Sequence, residues 1–303
     1  MNISDRHKAS KNSAYWNDLV HGTTGRYKEA WIKKLVSEHL ALRGGALMDV
    51  GCGSCDFMLD FRDRLHAESV TFLDYDPKVI EKLRPRYTGP GVYFQVADIL
   101  QAGLNGRFDL VFFLDMLHEV YSFHGRPNRN LAEPVDHERG LAAVRTAVTN
   151  VAATLNPGGG IVITDNVLCE EDHPVTVKIL APRPRDAVRH FLADFPTKVI
   201  PHRFLDDWTL TLDSRDFCIL LTQYNKIKNG DIDRWNVERL EIHQYWTLEQ
   251  FRTMFRDLGC RICYEIGTPS PSYSEWMADF QVLEGMPNIP HKRITLLAIK
   301  ERD

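Results

Sequence analysis

The alternation of short apolar segments with segments of helical periodicity constrains the fold of this chain more than any other feature. Residues 108–114 form a nearly continuous apolar run, which is typical of a strand covered on both faces. Strands that alternate with helices at this spacing form a parallel sheet with helices on both of its faces. The sequence therefore predicts an α/β fold with a doubly wound, mostly parallel sheet. The first five predicted strands are 46–50, 70–73, 92–96, 108–114 and 161–164.

The alternation stops after Asp165 and resumes at Thr247, a candidate N-cap for a helix that ends near residue 258. Between them, prolines interrupt the predicted helical pieces 185–193 and 214–228, so we expect an inserted subdomain. Later predicted strands, near 261–266 and over 293–300, bring the sheet to seven strands. The predicted parts are an N-terminal helical arm with lid helices (1–43), a core (44–165), an inserted, mainly helical lid subdomain for the substrate (166–245) and the C-terminal part of the core sheet (246–303).

The charge balance argues against broad nucleic-acid binding. The 303 residues include 37 lysines and arginines against 41 aspartates and glutamates, whereas nucleic-acid-binding chains usually carry a basic excess. No apolar run reaches the roughly 18–20 residues that span a bilayer, and the N-terminus lacks the apolar segment of a secretory signal. We expect a cytoplasmic protein with no membrane or nucleic-acid partner, and the sequence does not indicate whether it forms a homo-oligomer.

The cysteines include two Cys-x-x-Cys pairs. Cys52 and Cys55 lie far in sequence from Cys260 and Cys263, unlike the compact spacing of a zinc ribbon. We therefore expect reduced cysteines, as is usual in cytosolic proteins, and no metal shared between the pairs.

Residues 47–56 predict a strand that enters a glycine-rich turn before a helix. Gly51 and Gly53 would let the backbone approach a ligand, and the helix N-terminus that follows offers free N–H groups. The third glycine of the dinucleotide-binding pattern is absent, and Asp49 before the turn would repel a phosphate. An acidic residue in this place suits a cationic ligand.

Two more carboxylates follow predicted strands. Asp74 ends the second strand, where a carboxylate can bind both hydroxyls of a ribose. Asp98 follows the third strand, where a carboxylate can accept a hydrogen bond from an adenine amino group. Together with the glycine turn, these residues indicate a site for a cationic ligand that contains adenosine.

In this order, the motifs resemble those of the class I S-adenosylmethionine-dependent methyltransferases. The resemblance covers about 46–165 and 247–300, with one departure at Cys55, where many members have a third glycine. It implies a Rossmann-like methyltransferase that uses S-adenosylmethionine as methyl donor and binds it in the core. The matching segments are Asp49-Val50-Gly51-Cys52-Gly53, Leu73-Asp74-Tyr75-Asp76-Pro77, Val96-Ala97-Asp98-Ile99, residues 108–120 and Leu155-Asn156-Pro157-Gly158-Gly159.

The resemblance also implies a role for each cofactor-binding residue. The glycine turn would hold the methionyl part of the cofactor, Asp74 the ribose and Asp98 the adenine amino group. Tyr75 and Ile99 would lie on either side of the adenine, and Tyr15 in the N-terminal arm would close over the cofactor. The implied cofactor-binding residues are Asp49, Gly51, Cys52, Gly53, Asp74, Tyr75, Asp98, Ile99, Asp115, Met116 and Tyr15.

Asp115, His118 and Glu119 follow the fourth strand and are the candidate catalytic residues, which would position the acceptor. His118 could act as a general base, or it could only hydrogen-bond and shape the pocket. Glu119 could bind an amine or another cationic group, or it could cap a loop. A base is required only for a nucleophile that is protonated at neutral pH, so a thioether or a free amine needs none.

One alternative is a metal-dependent O-methyltransferase. Asp115 after the fourth strand and Asp165-Asn166 after the fifth would supply the oxygen ligands that Mg²⁺ prefers, as in the catechol-type enzymes. The residues that follow Asp115 look instead like those of the metal-independent members. We therefore expect no metal.

The insertion favours a small acceptor. Its aromatic residues would fill the core of the subdomain or form a lid, and one of its arginines could bind an acceptor carboxylate. We expect a small-molecule acceptor, either a carboxylate-bearing amino acid or a natural-product intermediate, that is methylated on sulfur, nitrogen or oxygen. A methionine-type thioether is one specific possibility. The alternatives are an RNA or protein methyltransferase and a non-catalytic protein that binds the cofactor. The residues concerned are Trp208, Phe217, Tyr224, Trp235, Arg203, Arg215 and Arg234.

Overall fold

The computed structural model describes residues 23–40, 42, 44–53, 56–267 and 272–301. The helices in these ranges are α1 (Thr23–His39), α2 (Asp56–Arg64), α3 (Pro77–Leu83), α4 (Leu117–His124), α5 (His137–Ala152), α6 (Pro182–Asp194), α7 (Ser214–Lys228), α8 (Ile232–Glu238), α9 (Leu248–Asp257) and α10 (Tyr273–Asp279). The strands are β1 (Ala46–Val50), β2 (Ser69–Asp74), β3 (Val92–Val96), β4 (Phe108–Leu114), β5 (Leu155–Leu168), β6 (Pro174–Ile179), β7 (His202–Phe204), β8 (Thr209–Asp213), β9 (Gln244–Thr247), β10 (Cys260–Gly267), β11 (Phe280–Glu284) and β12 (Arg293–Lys300).

A mostly parallel central sheet organises the fold. Its strand order is β10-β12-β5-β4-β1-β2-β3, and the short strand β9 pairs with the far end of β5. Strands β1 to β5 all run parallel to one another, whereas β12 is antiparallel to both β5 and β10. The predicted doubly wound, seven-stranded sheet is confirmed, with β9 as an additional short strand.

Strand β4 shows why the sheet is covered on both faces. Leu110 and Phe112 belong to one hydrophobic core, and Val111 and Phe113 belong to the other. All four side chains are fully buried. Because successive side chains of a strand point to opposite faces, a continuous apolar run requires a core on each side.

Helix α5 covers one of these faces with a regular apolar stripe. Leu141, Val144, Val148 and Val151 recur at helical spacing and are buried in the larger core. The helix begins where the Asp136 side chain accepts a hydrogen bond from the backbone N–H of Arg139, at 2.9 Å. On the opposite face, α1 contributes residues to the second core, among them Ile32, Leu35 and Val36.

The predicted glycine turn before the fifth strand lies inside β5 as a bulge. Phe108 pairs with Leu155, but Leu110 pairs with Gly160, so the residues between them bulge out of the ladder. A Cβ atom at Gly159 would come within 3.0 Å of a backbone carbonyl oxygen of Asn156. The bulge therefore requires a residue without a side chain at this position.

The insertion contains a second sheet in addition to its helices. This antiparallel sheet has the order β11-β6-β8-β7. The sequence predicts all of 246–303 as part of the core sheet, but β11 instead pairs with β6, and Phe280 packs against Phe217 and Tyr224 of α7. Pairing with β6 satisfies the backbone of β11 and buries Phe280. The other boundaries between the four parts remain predictions.

Arg126 connects the core to the insertion through buried hydrogen bonds. Its Nε donates to the carbonyl of Glu133 at 2.8 Å, and its Nη1 donates to the carbonyl of Ser122. Its Nη2 donates to the carbonyl of Leu240 at 2.8 Å and to the hydroxyl of Thr197 at 3.2 Å. One guanidinium thus satisfies backbone groups from three separate segments.

None of the helices in the part of the chain that the structure describes combines the length and the hydropathy of a membrane span.

Replacing Arg126 with methionine is expected to destabilise the fold strongly. The apolar side chain leaves several buried carbonyls without donors, at about 1–3 kcal/mol each, so the free energy of unfolding should fall by about 3 kcal/mol or more. Urea unfolding followed by circular dichroism measures the change. Arg203→Met, at an exposed arginine of β7, is the control and should change stability by no more than about 0.5 kcal/mol. Equal unfolding midpoints for the two variants would contradict the role of Arg126.

Candidate active site

The strand order creates a crevice between β1 and β4. The chain runs from β1 outward to β2 and β3, and then crosses to β4 on the other side of β1. In open α/β sheets, ligands bind outside the carboxyl ends of the strands at such a switch point. The glycine turn follows β1 at this edge, and Asp115 follows β4.

The glycine turn is held against the sheet and lies under a side chain from the other side of the crevice. The backbone N–H groups of Gly51 and Cys52 both donate to the carbonyl of Leu73, at 2.8 and 3.2 Å. Gly51 has a φ of +70°, and a Cβ there would lie 3.1 Å from Cε of Met116. Gly53 also has a positive φ, and Cys52 is buried. Predicted residues from both strands therefore meet at this edge.

The three predicted cofactor carboxylates lie at one edge because β1, β2 and β3 are adjacent and parallel. Asp49 is buried in β1. Asp74 is buried at the end of β2, and its Oδ1 accepts a hydrogen bond from the backbone N–H of Asp76 at 2.9 Å. Asp98 is half-buried, and its Oδ1 accepts from the backbone N–H of Leu100 at 3.0 Å.

The two residues predicted to flank an adenine differ in exposure. The ring of Tyr75 is 54% exposed, directly after Asp74. Ile99 is buried, and its carbonyl accepts a hydrogen bond from Nδ2 of Asn150 at 2.9 Å. Tyr15 lies outside the described residues.

Asp115 is bound by an arginine that the sequence analysis misses. Nη2 of Arg293 donates to Oδ1 and Oδ2 of Asp115, at 2.7 and 2.9 Å. Asp115 has a φ of +54°, and its backbone N–H donates to the carbonyl of Thr164 at 2.8 Å. Because β12 is antiparallel to β5, its first residue lies at the edge where β4 and β5 end. The only sequence signal is one charged residue at the start of an apolar strand.

His118 is fixed by the carboxylate of Asp165. Its Nδ1 lies 2.9 Å from Oδ1 of Asp165, and its backbone N–H donates to Oδ2 at 3.1 Å. Asp165 also accepts hydrogen bonds from the Tyr245 hydroxyl at 3.1 Å and from the backbone N–H of Asn166 at 2.8 Å. The alternative Mg²⁺ ligand set does not fit this arrangement, because Asp115 is bound to Arg293 and Asp165 accepts four hydrogen bonds.

The other ring nitrogen of His118 faces Glu241 and His243. We call His118, Glu238, Glu241 and His243 the histidine–glutamate cluster. Nε2 of His118 lies 3.6 Å from Oε2 of Glu241, and the rings of His118 and His243 lie 4.4 Å apart. Nε2 of His243 lies 2.9 Å from Oε2 of Glu238, which pairs with Lys226 at 3.0 Å. All four members are buried. The last three come from the charged segment 238–243 before β9 and are not predicted from the sequence.

Burial and charge shift the pKa values in this region. Burial disfavours the charged form of His118, but the carboxylates of Asp165 and Glu241 outweigh it and raise the pKa of His118 well above its ordinary value. Burial and the adjacent charge of His118 lower the pKa of His243 to about 4. Burial raises the pKa of the Glu238 carboxyl, but Lys226 and His243 overcome this and hold it well below its usual range.

Glu119 is the third predicted catalytic residue. It is half-buried in the first turn of α4, and its backbone N–H donates to the carbonyl of Met116 at 3.0 Å. It therefore lies on the same turn as His118, close in sequence to Asp115.

Comparisons with known proteins agree with this geometry. Residues 47–128 match the family model described as a methyltransferase domain. This match and the fold support a class I S-adenosylmethionine-dependent methyltransferase.

Two solved structures support the same fold for this methyltransferase. One is a chain of the complex between the Haloferax volcanii Trm112 methyltransferase activator and a methyltransferase, at 11% identity and a TM-score of 0.51, with 98% of each chain covered. The other is an O-methyltransferase family protein from Burkholderia thailandensis, at 12% identity and a TM-score of 0.50, with 99% of this chain and 63% of that chain covered. At these identities they support the fold alone. No curated protein matches the sequence.

The carboxyl edge of the methyltransferase fits S-adenosylmethionine. The donor set is anionic, with carboxylates at the ends of β1 to β3, and the ligand has a sulfonium, an ammonium group, ribose hydroxyls and an adenine amino group. Gly51 has a positive φ, and a Cβ there would also crowd the Met116 side chain, so glycine keeps the backbone of the turn accessible at the crevice. This chemistry favours the cationic cofactor over a phosphate-rich dinucleotide.

The arginines named as possible acceptor clamps lie elsewhere. Arg203 is exposed, Arg234 lies 3.4 Å from Glu238, and Arg215 donates to the carbonyls of Cys169 and Glu170. Three of the four aromatic residues of the insertion are buried and fill its core, and the fourth, Trp208, is half-buried beneath the Arg185 guanidinium. The three buried residues are Phe217, Tyr224 and Trp235.

Asp74→Ala is expected to weaken the binding of S-adenosylmethionine by about 10–100-fold. The loss of a charge-assisted pair of hydrogen bonds to the ribose costs about 1.5–3 kcal/mol. Isothermal titration calorimetry measures it, and Glu81→Ala, at an exposed carboxylate of α3, is the charge-matched control. Unchanged affinity in a folded Asp74→Ala variant would remove Asp74 from the cofactor site.

Proposed function

We propose that this methyltransferase transfers the methyl group of S-adenosylmethionine to a small acceptor that carries a carboxylate, with amino acids as the preferred class. The observation that carries the proposal is a half-buried lysine, Lys292, next to the Asp115–Arg293 pair. It supplies the positive charge that the predicted arginine clamps do not.

Lys292 lies at the junction of the core and the insertion. Its backbone carbonyl accepts a hydrogen bond from Val167 of β5 at 2.6 Å, and its Nζ lies 5.4 Å from the ring centroid of Trp276. Burial, followed by the charges of Arg293 and Lys226, lowers the pKa of Lys292 to about 7. Within the described ranges, no carboxylate forms an ion pair with it. A partly desolvated ammonium group beside two other cations favours an anionic ligand.

The surroundings of Lys292 support an acceptor of small size. Trp276 is fully buried, and Tyr245 is buried in a stack with Tyr121 whose centroids lie 5.2 Å apart. The insertion thus packs over the carboxyl ends of β4 and β5. An acceptor bound beside these buried aromatic rings would be shielded from water, which suits a small molecule better than a folded RNA or protein.

In this proposal, each cofactor-binding residue has the role that the resemblance implies. When bound, S-adenosylmethionine supplies an activated methyl group on its sulfonium. Asp49 and the backbone of the glycine turn would hold the methionyl part, Asp74 the ribose, and Asp98 the adenine amino group between Tyr75 and Ile99. Alignment of the acceptor with the methyl group and exclusion of water then supply the rate, as in proximity catalysis.

His118 fits a positioning role better than that of a general base. Its Nδ1 faces Asp165, and its Nε2 faces Glu241 and His243, so both ring nitrogens point to protein groups. Through its contact with Asp165, His118 would fix the turn that presents Asp115. An acceptor that reacts through a thioether or a free amine is consistent with this arrangement, because it needs no base.

A panel of acceptors tests the proposal. The purified protein is incubated with S-adenosylmethionine and one candidate acceptor at a time. The candidates are amino acids such as methionine, aromatic acids, and thiols. The release of S-adenosylhomocysteine is measured. Each carboxylate is paired with its decarboxylated analogue, whose kcat/KM should be about 10–100-fold lower because one charge-assisted contact is lost. RNA and protein fractions, with and without a Trm112-type activator, form the other arm. Methylation confined to that arm would overturn the proposal, as would equal rates for both members of each pair.

The pH dependence tests Lys292 itself. Its ammonium group is charged below its pKa of about 7 and neutral above it, so kcat/KM for the carboxylate acceptor should fall as the pH rises through about 7. Lys292→Arg should keep activity and lose this decline, whereas Lys292→Met should be low at every pH. A decline that persists in Lys292→Met would assign it to another group.

A further inference from the structure

His118, Glu241 and His243 bring three metal-ligating side chains together where the core meets the end of the insertion. One ligand atom from each lies within 4.8 Å of the other two, and all three side chains are buried. Two imidazoles and one carboxylate form a donor set that proteins use for Zn²⁺. The three residues come from the start of α4 and from the segment before β9, so only the tertiary fold assembles them.

The spacing of the donor atoms suits a tetrahedral ion. Oε2 of Glu241 lies 3.6 Å from Nε2 of His118 and 3.9 Å from Nε2 of His243. Ligand atoms at about 2.0–2.2 Å from Zn²⁺ lie roughly 3.4 Å from one another in a tetrahedron. A contraction of a few tenths of an ångström would therefore bring Glu241 and each histidine to binding distance.

The residues around the cluster orient the donor atoms of His118, Glu241 and His243 toward one another. Nδ1 of His118 donates to Asp165, which leaves Nε2 as the ring nitrogen that faces Glu241 and that would bind an ion after losing its own proton. Such carboxylate–histidine pairs orient histidine ligands in metal sites. Nε2 of His243 is buried and lies 2.9 Å from Oε2 of Glu238 and 3.9 Å from Oε2 of Glu241. Glu238 is paired with Lys226, so Glu241 is the carboxylate that faces both imidazoles.

We propose that His118, Glu241 and His243 bind a divalent transition-metal ion of the Zn²⁺ type, with Asp165 orienting His118. The nitrogen donors select Zn²⁺ over Mg²⁺, which prefers oxygen ligands. This site differs from the set Asp115, Asp165 and Asn166 that the sequence offers for Mg²⁺. It also differs from the expectation of no metal.

Three protein ligands leave a fourth position for water or for a group of a bound molecule. His118 lies one helical turn from Asp115, so the ion would lie beside the acceptor site. A role of the ion toward the acceptor rests on the proposed function. The binding of the ion does not, and its test measures binding alone.

The test uses the full chain stripped of metal by a chelator. Titration with Zn²⁺ is followed by mass spectrometry of bound metal and by competition with a chromogenic chelator. The wild-type chain should bind one equivalent, and excess Mg²⁺ should not displace it. Glu241→Gln and His243→Ala should weaken binding by at least about 100-fold, and Asp165→Asn by about 10–100-fold.

Two controls separate this site from other donors. His202→Ala removes an exposed histidine of β7, and Cys169→Ala removes a thiol whose sulfur lies 3.6 Å from that of Cys218. Both should bind Zn²⁺ like the wild-type chain. Binding that survives in Glu241→Gln and His243→Ala, or is lost in Cys169→Ala, would overturn the proposal.

Cobalt substitution covers the case in which a cluster variant fails to fold. The wild-type chain loaded with Co²⁺ should show the visible bands of a tetrahedral site without thiolate charge-transfer bands. Thiolate bands, or no stoichiometric binding of either ion by the folded wild-type chain, would refute the site. This result is independent of whether any carboxylate acceptor is methylated.

Discussion

The carboxylate of Asp165 near the end of β5 holds together the parts that form the proposed acceptor side of this methyltransferase. It accepts hydrogen bonds from the backbone and the ring of His118, from the Tyr245 hydroxyl and from the backbone of Asn166. These donors come from the start of α4, from β9 and from β5 itself. Hydrogen bonds to a charged group contribute about 1.5–3 kcal/mol each, and an unpaired carboxylate at this depth would be costly. The turn after β4 therefore has one position relative to the insertion.

Two charge systems lie on either side of this anchor. Asp115 and Arg293 form a pair at the end of β4, whereas the histidine–glutamate cluster collects buried carboxylates and imidazoles where the core meets the end of the insertion. Lys292 precedes Arg293 and has a pKa of about 7, close to the point at which its charge is lost. Because these charged groups lie close together and are largely shielded from water, binding of an anion or a cation would change their protonation. This property connects the proposed carboxylate acceptor with the proposed metal site.

The insertion does more than cover the sheet. It adds a second sheet whose edge strand, β11, comes from the chain after β10, so the insertion and the C-terminal part depend on each other. Arg126 ties the same region to the end of α4 by hydrogen bonds to backbone carbonyls. These connections make the acceptor side part of the folded core, which suits a site that must exclude water.

The sequence by itself determined the central sheet and the edge at which the predicted cofactor carboxylates lie. These features are local, because a strand, its glycine turn and the carboxylate after it are adjacent in the chain. The alternation of apolar and helical segments predicts parallel strands, so Asp49, Asp74 and Asp98 are expected at the same edge of the sheet. Only the tertiary structure decided the partners of Asp115 and His118. Arg293 is 178 residues from Asp115 in the chain, and Glu241 and His243, which face His118, lie at the far end of the insertion. Such pairs depend on strand register and on the packing of the insertion, which no local pattern encodes.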